Sequence, residues 1–437
     1  MVLTTSESQR FYQLFLLCMF LIPIPVKNLA YLVPPLYLLI QLVSGNAAAI
    51  RAVILVITVA TVSTLSMSID SFRGQQINLP GFFLAMLTYL PIFLLLCERF
   101  DQPIDDALFG RLINTTAWFV IVQSAIGVLQ FVVSHNGDAV AGSFGLLDFH
   151  FNTISIAQVY FTFTLFGMIL FLMLDFRRVI VQVAIIVGLI VCTLAQSGHQ
   201  TIFFAVSFGL FSVIQKKRSS AVLYGVILIS LSFFLVNELY PSTFAYTGAW
   251  FRKVVEEPES PKRALAADGV RIVNDLKNAI LGTGIGQYSS RAALITSNDY
   301  LSRDLPNILV GKSKYFSDSI EPANEIYEDS GQGSAIWKPY FSILSVIVEF
   351  GIVQSLFIFG VLLAHVRKNL TYMASPVPQI ALTGMVSNVG LLFFILCCAI
   401  ENYAEFPQAI FLPFLLYVAA QSRAKRLAVE ARSEETG

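Results

Sequence analysis

Long apolar segments separated by short polar connections recur along almost the whole chain. A helix needs roughly 20 apolar residues to cross a bilayer, because the hydrocarbon core is about 30 Å thick and each residue adds about 1.5 Å. Twelve segments approach this length, at 11–25, 28–44, 50–68, 81–97, 112–134, 153–174, 179–196, 200–214, 220–237, 338–364, 378–400 and 406–421. The pattern predicts an all-α polytopic membrane protein with about twelve transmembrane helices.

The composition supports lipid as the main solvent of this chain. Of its 437 residues, 56% are hydrophobic and 13% are charged, and the mean hydropathy is +0.71. A soluble domain typically carries about 25% charged residues, so this chain has too little polar surface for a water-soluble globule of its length. The 28 basic and 28 acidic residues cancel, and no overall field points to nucleic acid as a partner.

Basic residues concentrate in alternate connections and in the C-terminal tail: Arg51, Arg99, Arg111, Arg177, Arg178, Lys216, Lys217, Arg218, Arg367, Lys368, Arg423, Lys425, Arg426 and Arg432. The other short connections hold only Lys27 and Arg73. This imbalance predicts that the first set and both termini are cytoplasmic. The predicted organisation is spans 1 to 9 in residues 1–237, a large periplasmic loop in 238–337, spans 10 to 12 in 338–421 and a cytoplasmic tail in 422–437.

Residues 262–281 in the predicted loop have the pattern of an amphipathic helix that ends at Gly282. One arc of about 100° carries the apolar side chains, which are Leu265, Ile272, Val273, Leu276 and Ile280. Arg263 and Arg271 lie on another arc, roughly opposite, with room between them for an anion. The alternative is a solvated face on which Arg271 pairs with Asp275 at i,i+4.

A glycine run, Gly282-Thr-Gly-Ile-Gly-Gln-Tyr288, follows this helix directly. Alternating glycines are weak support for nucleotide binding, and here they follow a helix rather than a strand, so the dinucleotide fingerprint is not met. A tight turn that lets the backbone pack closely is the better interpretation.

The cysteines and histidines do not have the spacing of metal ligands. All five cysteines lie in apolar segments, and the four histidines are scattered without a paired spacing. We therefore predict neither a metal centre nor a cofactor.

Four segments occur in a characteristic order: AGSFGLLDFHFN at 141–152, Arg271 with ten residues before Gly282, ILGTGIGQY at 280–288, and FSILSVIVEFGIVQSL at 341–356 with Glu349 and Gly351. Together they resemble the O-antigen polymerase and O-antigen ligase superfamily over roughly residues 140–360. Three features depart from that family. Ser197-Gly-His-Gln200 stands where the family has an arginine, Ala279 replaces the usual proline, and the ligase histidine is missing near residues 337–340.

The resemblance implies a GT-C-like, metal-independent glycosyltransferase of the bacterial inner membrane. It would transfer a growing glycan from polyprenyl diphosphate to the next lipid-linked repeat unit on the periplasmic face, and it allows a chain-length regulator protein as a partner. The missing histidine favours a polymerase over a ligase, which would transfer glycan to lipid A core. A polytopic transporter or flippase is the alternative from another class.

Such chemistry needs fixed cations for the leaving diphosphate and a base for the acceptor hydroxyl. The candidate catalytic residues are Arg271, Arg263, His199 and Glu401. The candidate substrate-binding residues are Lys338, Gly282, Gly284, Tyr288, Trp337, Tyr340, Glu349 and Glu405. For Glu349, which lies within a predicted span, structural and catalytic roles remain equally open.

Overall fold

The computed structural model describes residues 5–23, 29–102, 104–145, 154–215, 220–239, 241–257, 260–297, 306–329 and 338–436, and this part of the chain is helical without strands. Its α-helices, numbered in chain order, are α1 Thr5–Leu21, α2 Val33–Val43, α3 Ala47–Phe72, α4 Leu79–Thr88, α5 Leu90–Cys97, α6 Asp106–Ser134, α7 Ile154–Leu172, α8 Val179–Leu194, α9 Gly198–Ile214, α10 Ser220–Leu239, α11 Pro241–Glu256, α12 Pro261–Val273, α13 Leu276–Leu281, α14 Arg291–Thr296, α15 Glu321–Asp329, α16 Ser342–Met373, α17 Pro378–Cys398 and α18 Pro407–Thr436.

Five of the described helices, α3, α6, α7, α16 and α17, are long and apolar enough to cross a membrane. Helices α4 and α5 add a sixth span if the pair, bent by 44°, crosses as one unit. The chain is therefore a helical protein of membrane-embedded character. All twelve predicted segments overlap a helix, but several helices, such as the 11-residue α2 and the 16-residue α8, are short. The number of crossings stays a prediction.

The bend between α4 and α5 follows from the local sequence. Helix α4 ends at Thr88, and Pro91 occupies the first turn of α5. Proline has no backbone N–H to donate and its ring crowds the preceding turn, so an uninterrupted helix is unfavourable here. The predicted single segment 81–97 is consequently two helices.

The prediction of one continuous helix over 262–281 is wrong. Helix α12 ends at Val273, and Asp275 caps a separate helix α13 by accepting hydrogen bonds from the backbone N–H groups of Lys277 at 2.9 Å and Asn278 at 3.2 Å. A capping aspartate competes with helix continuation because its carboxylate satisfies first-turn donors. As a result Leu276, expected on the buried arc, is 74% exposed.

The loop docks onto one end of the helical bundle, which we call the loop end. Helix α13 packs against α3 and α16, and α14 packs against α4. A buried ion pair between Lys277 Nζ and Asp70 Oδ2, at 2.6 Å, ties α13 to the end of α3. These contacts hold the glycine run against the bundle.

Deeper in the bundle, α17 packs between α16 and α9, and α18 packs against α7. The close approach of α7 and α18 depends on Gly167, since a Cβ there would lie 2.7 Å from the Pro413 ring. The short connection between α17 and α18 lies at the loop end, where Asn402 contacts the docked loop.

Candidate functional site

The carboxylate of Glu349 organises the glycine run. Its two oxygens accept hydrogen bonds from the backbone N–H groups of Gly286 at 2.8 Å, Tyr288 at 2.9 Å and Ser290 at 3.2 Å, and the side chain is fully buried. A carboxylate that receives several backbone donors can stay buried, because those donors replace water. Glu349 therefore has a structural position under the loop.

Two glycines of the run are required by backbone contacts. Gly282 has φ 73°, and a Cβ there would lie 2.1 Å from the Glu349 carbonyl oxygen. Gly286 has φ 76°, and its Cβ would lie 2.2 Å from the Gly81 carbonyl oxygen. Gly284, a third member with φ 92°, lies in the same turn. These contacts account for the glycines through close packing of the turn against the bundle.

Just beyond the turn, the chain is joined to the connection between α17 and α18. Asn402 Nδ2 donates to the Ser289 carbonyl oxygen at 2.8 Å, and Glu405 accepts a hydrogen bond from the backbone N–H of Arg291. These bonds place Arg291, the first residue of α14, directly against residues 401–406.

The Arg291 side chain points into this junction. Its guanidinium carbon lies 4.9 Å from the centre of the Phe406 ring. Its Nε is buried and has no hydrogen-bond partner among the described residues. A buried guanidinium donor without an acceptor is costly, which makes this nitrogen a group that an incoming acceptor would satisfy.

Two buried lysines meet the same junction. Lys338 Nζ lies 3.4 Å from Glu401 Oε1, and Lys262, only 6% exposed, donates to the Ile400 carbonyl oxygen. The pKa of Lys262 is lowered to about 7, chiefly by burial; the Glu401 carboxylate opposes this shift, and Lys338 adds to it. We call Lys262, Arg291, Lys338 and Glu401 the cationic cluster.

The balance of charge in the cationic cluster is positive. Burial, and then the Glu349 carboxylate, raise the pKa of the neighbouring Glu405 well above its ordinary value, although Arg291 opposes this shift. Glu405 therefore favours its neutral form, and Glu401 is the carboxylate that contacts Lys338. Glu401 Oε2 has no hydrogen-bond partner among the described residues.

A small cavity of about 10 Å³, which has room for about one water molecule, lies within the cationic cluster. The residues that line it are Arg291, Leu294, Lys338, Tyr340, Glu401, Asn402 and Phe406. Its lining combines cationic and amide groups with aromatic rings, which is the chemistry of a site for an oxygen-rich anion.

His199 lies next to the cluster at the start of α9. Its Nε2 is 3.1 Å from the Tyr403 hydroxyl, which also accepts from Gln200 Nε2. The Tyr403 ring is 5.1 Å from Phe163. Phe163 lines an apolar groove of about 120 Å³ between α5, α7, α17 and α18. The polar junction and the apolar groove thus meet at one aromatic contact.

The structure brings together His199, Lys338, Tyr340, Glu401 and Glu405 from the predicted site. Tyr288, also predicted, is buried, and its hydroxyl donates to the Leu265 carbonyl oxygen at 2.9 Å. The Tyr340 hydroxyl donates to Asn324 Oδ1 at 2.7 Å. Trp337 lies outside the described residues.

The two predicted arginines of α12 are placed elsewhere. Arg271 has a 70% exposed side chain and pairs with Asp268 at 2.9 Å, not with Asp275. Arg263 is exposed and donates to the carbonyl oxygens of Val255 and Glu257. The expected convergence of these two guanidiniums on one anion is not present in the structure.

Lys262 and Arg291 were missed by sequence reasoning. Lys262 precedes Arg263, and a step of 100° around α12 turns one side chain inward and the next outward. Arg291 directly follows the glycine run and is followed by apolar residues. A charged residue at the edge of a tightly packed turn was the available signal.

Among the described residues, no three His, Cys, Asp or Glu side chains are grouped closely enough to hold a metal ion. In comparisons with known proteins, no family model, no curated protein and no solved structure matches this chain.

Proposed function

We propose that this chain is a membrane glycosyltransferase of the polysaccharide polymerase type. It transfers a growing glycan from polyprenyl diphosphate to a hydroxyl of the next lipid-linked repeat unit at the loop end of the bundle. The observation that carries the proposal is the cationic cluster, in which Arg291, Lys338 and Glu401 line one cavity and the buried Lys262 contacts the same connection through the Ile400 carbonyl oxygen.

Buried cations are unfavourable unless anions or acceptors compensate them. Lys338 has Glu401, and Lys262 has the Ile400 carbonyl oxygen, but Arg291 Nε has no acceptor among the described residues. A diphosphate would supply several charged oxygens at once. During transfer, negative charge develops on this leaving group, and fixed cations stabilise it most.

The apolar groove supports a lipid-linked donor. Ile410, which lines the groove, is one helical turn along α18 from the segment that holds Phe406 at the cavity. A polyprenyl chain needs continuous apolar surface next to the place where its diphosphate is bound. The nearness of the groove to the cavity supports a donor of this kind.

Glu401 is the best-placed base for the acceptor hydroxyl. It contacts Lys338 through Oε1, while Oε2 is buried without a partner in the described structure. A carboxylate oxygen in this state can accept the proton that the sugar hydroxyl loses as it attacks. His199, which contacts Tyr403, takes a positioning role in this proposal.

The direct test uses the purified full-length protein and defined polyprenyl-diphosphate oligosaccharides. With lipid-linked repeat units alone, we expect longer glycans together with released polyprenyl diphosphate. Transfer only after lipid A core is added would identify a ligase instead. If neither acceptor is extended, the glycosyltransferase proposal is wrong.

The lowered pKa of Lys262 predicts opposite effects of pH on donor binding and on stability. As pH rises above about 7, Lys262 loses its proton, so affinity for an anionic donor should fall. Unfolded lysine keeps its proton up to about pH 10.4, so between these values the unfolded state binds more protons. Stability of the empty protein should therefore rise with pH over the same range.

KM for the donor and the thermal unfolding midpoint, both measured from pH 6 to 9, check this prediction. Lys262→Arg is the matched variant, because arginine remains charged throughout, and its KM should not rise over this range. If KM of the Lys262→Arg variant rises with pH as much as KM of the unsubstituted protein does, another group causes the pH effect.

A further inference from the structure

A second large cavity lies at the end of the bundle opposite the docked loop. It has a volume of about 330 Å³ and is bordered by α1, the end of α2, the start of α3 and residues 98–102. Helix α3 begins at this cavity, whereas Asp70 near its other end contacts Lys277 of the loop. The 26 residues of α3 separate the two places by about 39 Å. We call this cavity the arginine pocket.

Three guanidiniums border the arginine pocket. They belong to Arg10, Arg51 and Arg99. Arg51 is held in place because its Nε and Nη2 donate to the Cys97 carbonyl oxygen at 3.3 Å and 3.0 Å. Among the described side chains, no carboxylate lies within ion-pair distance of Arg51 or Arg99.

The two acidic side chains at the pocket are engaged elsewhere. Asp101 forms an ion pair with Lys425. Glu98 accepts hydrogen bonds from the backbone N–H groups of Arg99 at 3.0 Å and Phe100 at 2.8 Å. The start of α3 adds the positive end of a helix dipole to the same wall. The lining of the pocket therefore holds three arginines against two carboxylates, and both carboxylates already have other partners.

The surface beside the pocket is apolar. Val43 at the end of α2 is 83% exposed, and Ile50 and Ile54 on α3 are 50% and 58% exposed. Large apolar side chains exposed in this way suit contact with lipid chains. The arginine pocket thus lies where an apolar band ends and a polar end begins, which is the depth of a lipid headgroup.

We propose that the arginine pocket binds a phosphate monoester or diester anion, with Arg51 and Arg99 as its principal ligands. Guanidiniums bind phosphate oxygens through paired N–H donors and stay charged at any physiological pH. The adjoining apolar band makes an anionic phospholipid headgroup the source that fits the position. This site is independent of glycan transfer and about one helix length away from the cationic cluster.

The test is binding of short-chain probes to the full-length protein in detergent, measured by calorimetry. The probes are dihexanoyl phosphatidylglycerol, dihexanoyl phosphatidylcholine and glycerol 3-phosphate. We expect phosphatidylglycerol to bind more tightly than the zwitterionic phosphatidylcholine. Arg99→Gln should weaken that binding about tenfold, since a hydrogen bond between charged groups is lost. Arg99 is the cleaner substitution, because Arg51 also has a structural contact with Cys97.

The matched control is Arg177→Gln, which removes an exposed arginine from the connection between α7 and α8, outside the pocket. It should bind the probes like the unsubstituted protein. If glycerol 3-phosphate binds as tightly as phosphatidylglycerol and is weakened equally by Arg99→Gln, the pocket takes a soluble phosphate. The proposal is overturned if Arg99→Gln and Arg51→Gln both bind normally, or if Arg177→Gln weakens binding to the same extent.

Discussion

Replacing Arg291 by Gln should slow glycan transfer by about 10²- to 10³-fold, the usual effect of removing one fixed donor to developing negative charge. The Arg291 guanidinium is buried at the cavity, beside Phe406 and without an acceptor on Nε. Glutamine keeps hydrogen-bonding capacity but removes the charge. The measurement is the rate of elongation by purified protein at saturating donor, with the amount of folded protein quantified separately.

Arg271→Gln is the matched control for this experiment, since it removes an exposed guanidinium that pairs with Asp268 on the same docked loop. We expect its rate to change by less than about threefold, because a surface pair contributes little. Arg291→Lys should keep part of the activity, since it retains the charge but not the planar fork. Loss of activity in Arg271→Gln with normal rates in Arg291→Gln would move the site to the exposed face of α12.

Replacing Glu349 by Ala should destabilise the protein by about 3 kcal/mol or more, because three backbone N–H groups would lose their acceptor in a buried place. These donors belong to Gly286, Tyr288 and Ser290. The same hydrogen bonds position the chain that leads to Arg291, so transfer activity should fall as well. Thermal unfolding in detergent, followed at constant pH, measures the first effect.

A control from the same helix separates loss of this contact from general damage to α16. Val353 is 58% exposed on α16, and Val353→Ala should leave the unfolding midpoint nearly unchanged. Glu349→Gln should fall between the two variants, since one amide oxygen can still accept from the turn. A midpoint for Glu349→Ala equal to that of Val353→Ala would show that the turn does not depend on this carboxylate.

The two proposed sites are built from different parts of the chain. The cationic cluster depends on contacts between the large loop and residues 401–406, whereas the arginine pocket uses residues from α1 to the segment after α5. Variants at one site should leave the other intact, because substitutions far apart without shared partners act independently. This gives each proposal an internal control in the assay of the other.

The sequence by itself determined the class of the protein and the positions of most helices, because apolar length and local periodicity depend only on neighbouring residues. It also placed Lys338, Glu401 and Glu405 among the candidates, and it identified the glycine run as a tight turn. These inferences need no knowledge of distant contacts. The break at Asp275 was within reach of the sequence too, since aspartate is one of the residues favoured at the N-cap of a helix.

Only the tertiary structure decided which cations meet. Arg291 reaches the cluster through hydrogen bonds to Asn402 and Glu405, more than 110 residues along the chain. Lys262 is buried, while Arg263 beside it faces outward. Local periodicity gives the angle between two side chains on a helix but not the direction in which that helix is docked. Docking is set here by the carboxylate of Glu349, the glycine contacts and the Lys277–Asp70 pair, all of which join residues far apart in sequence.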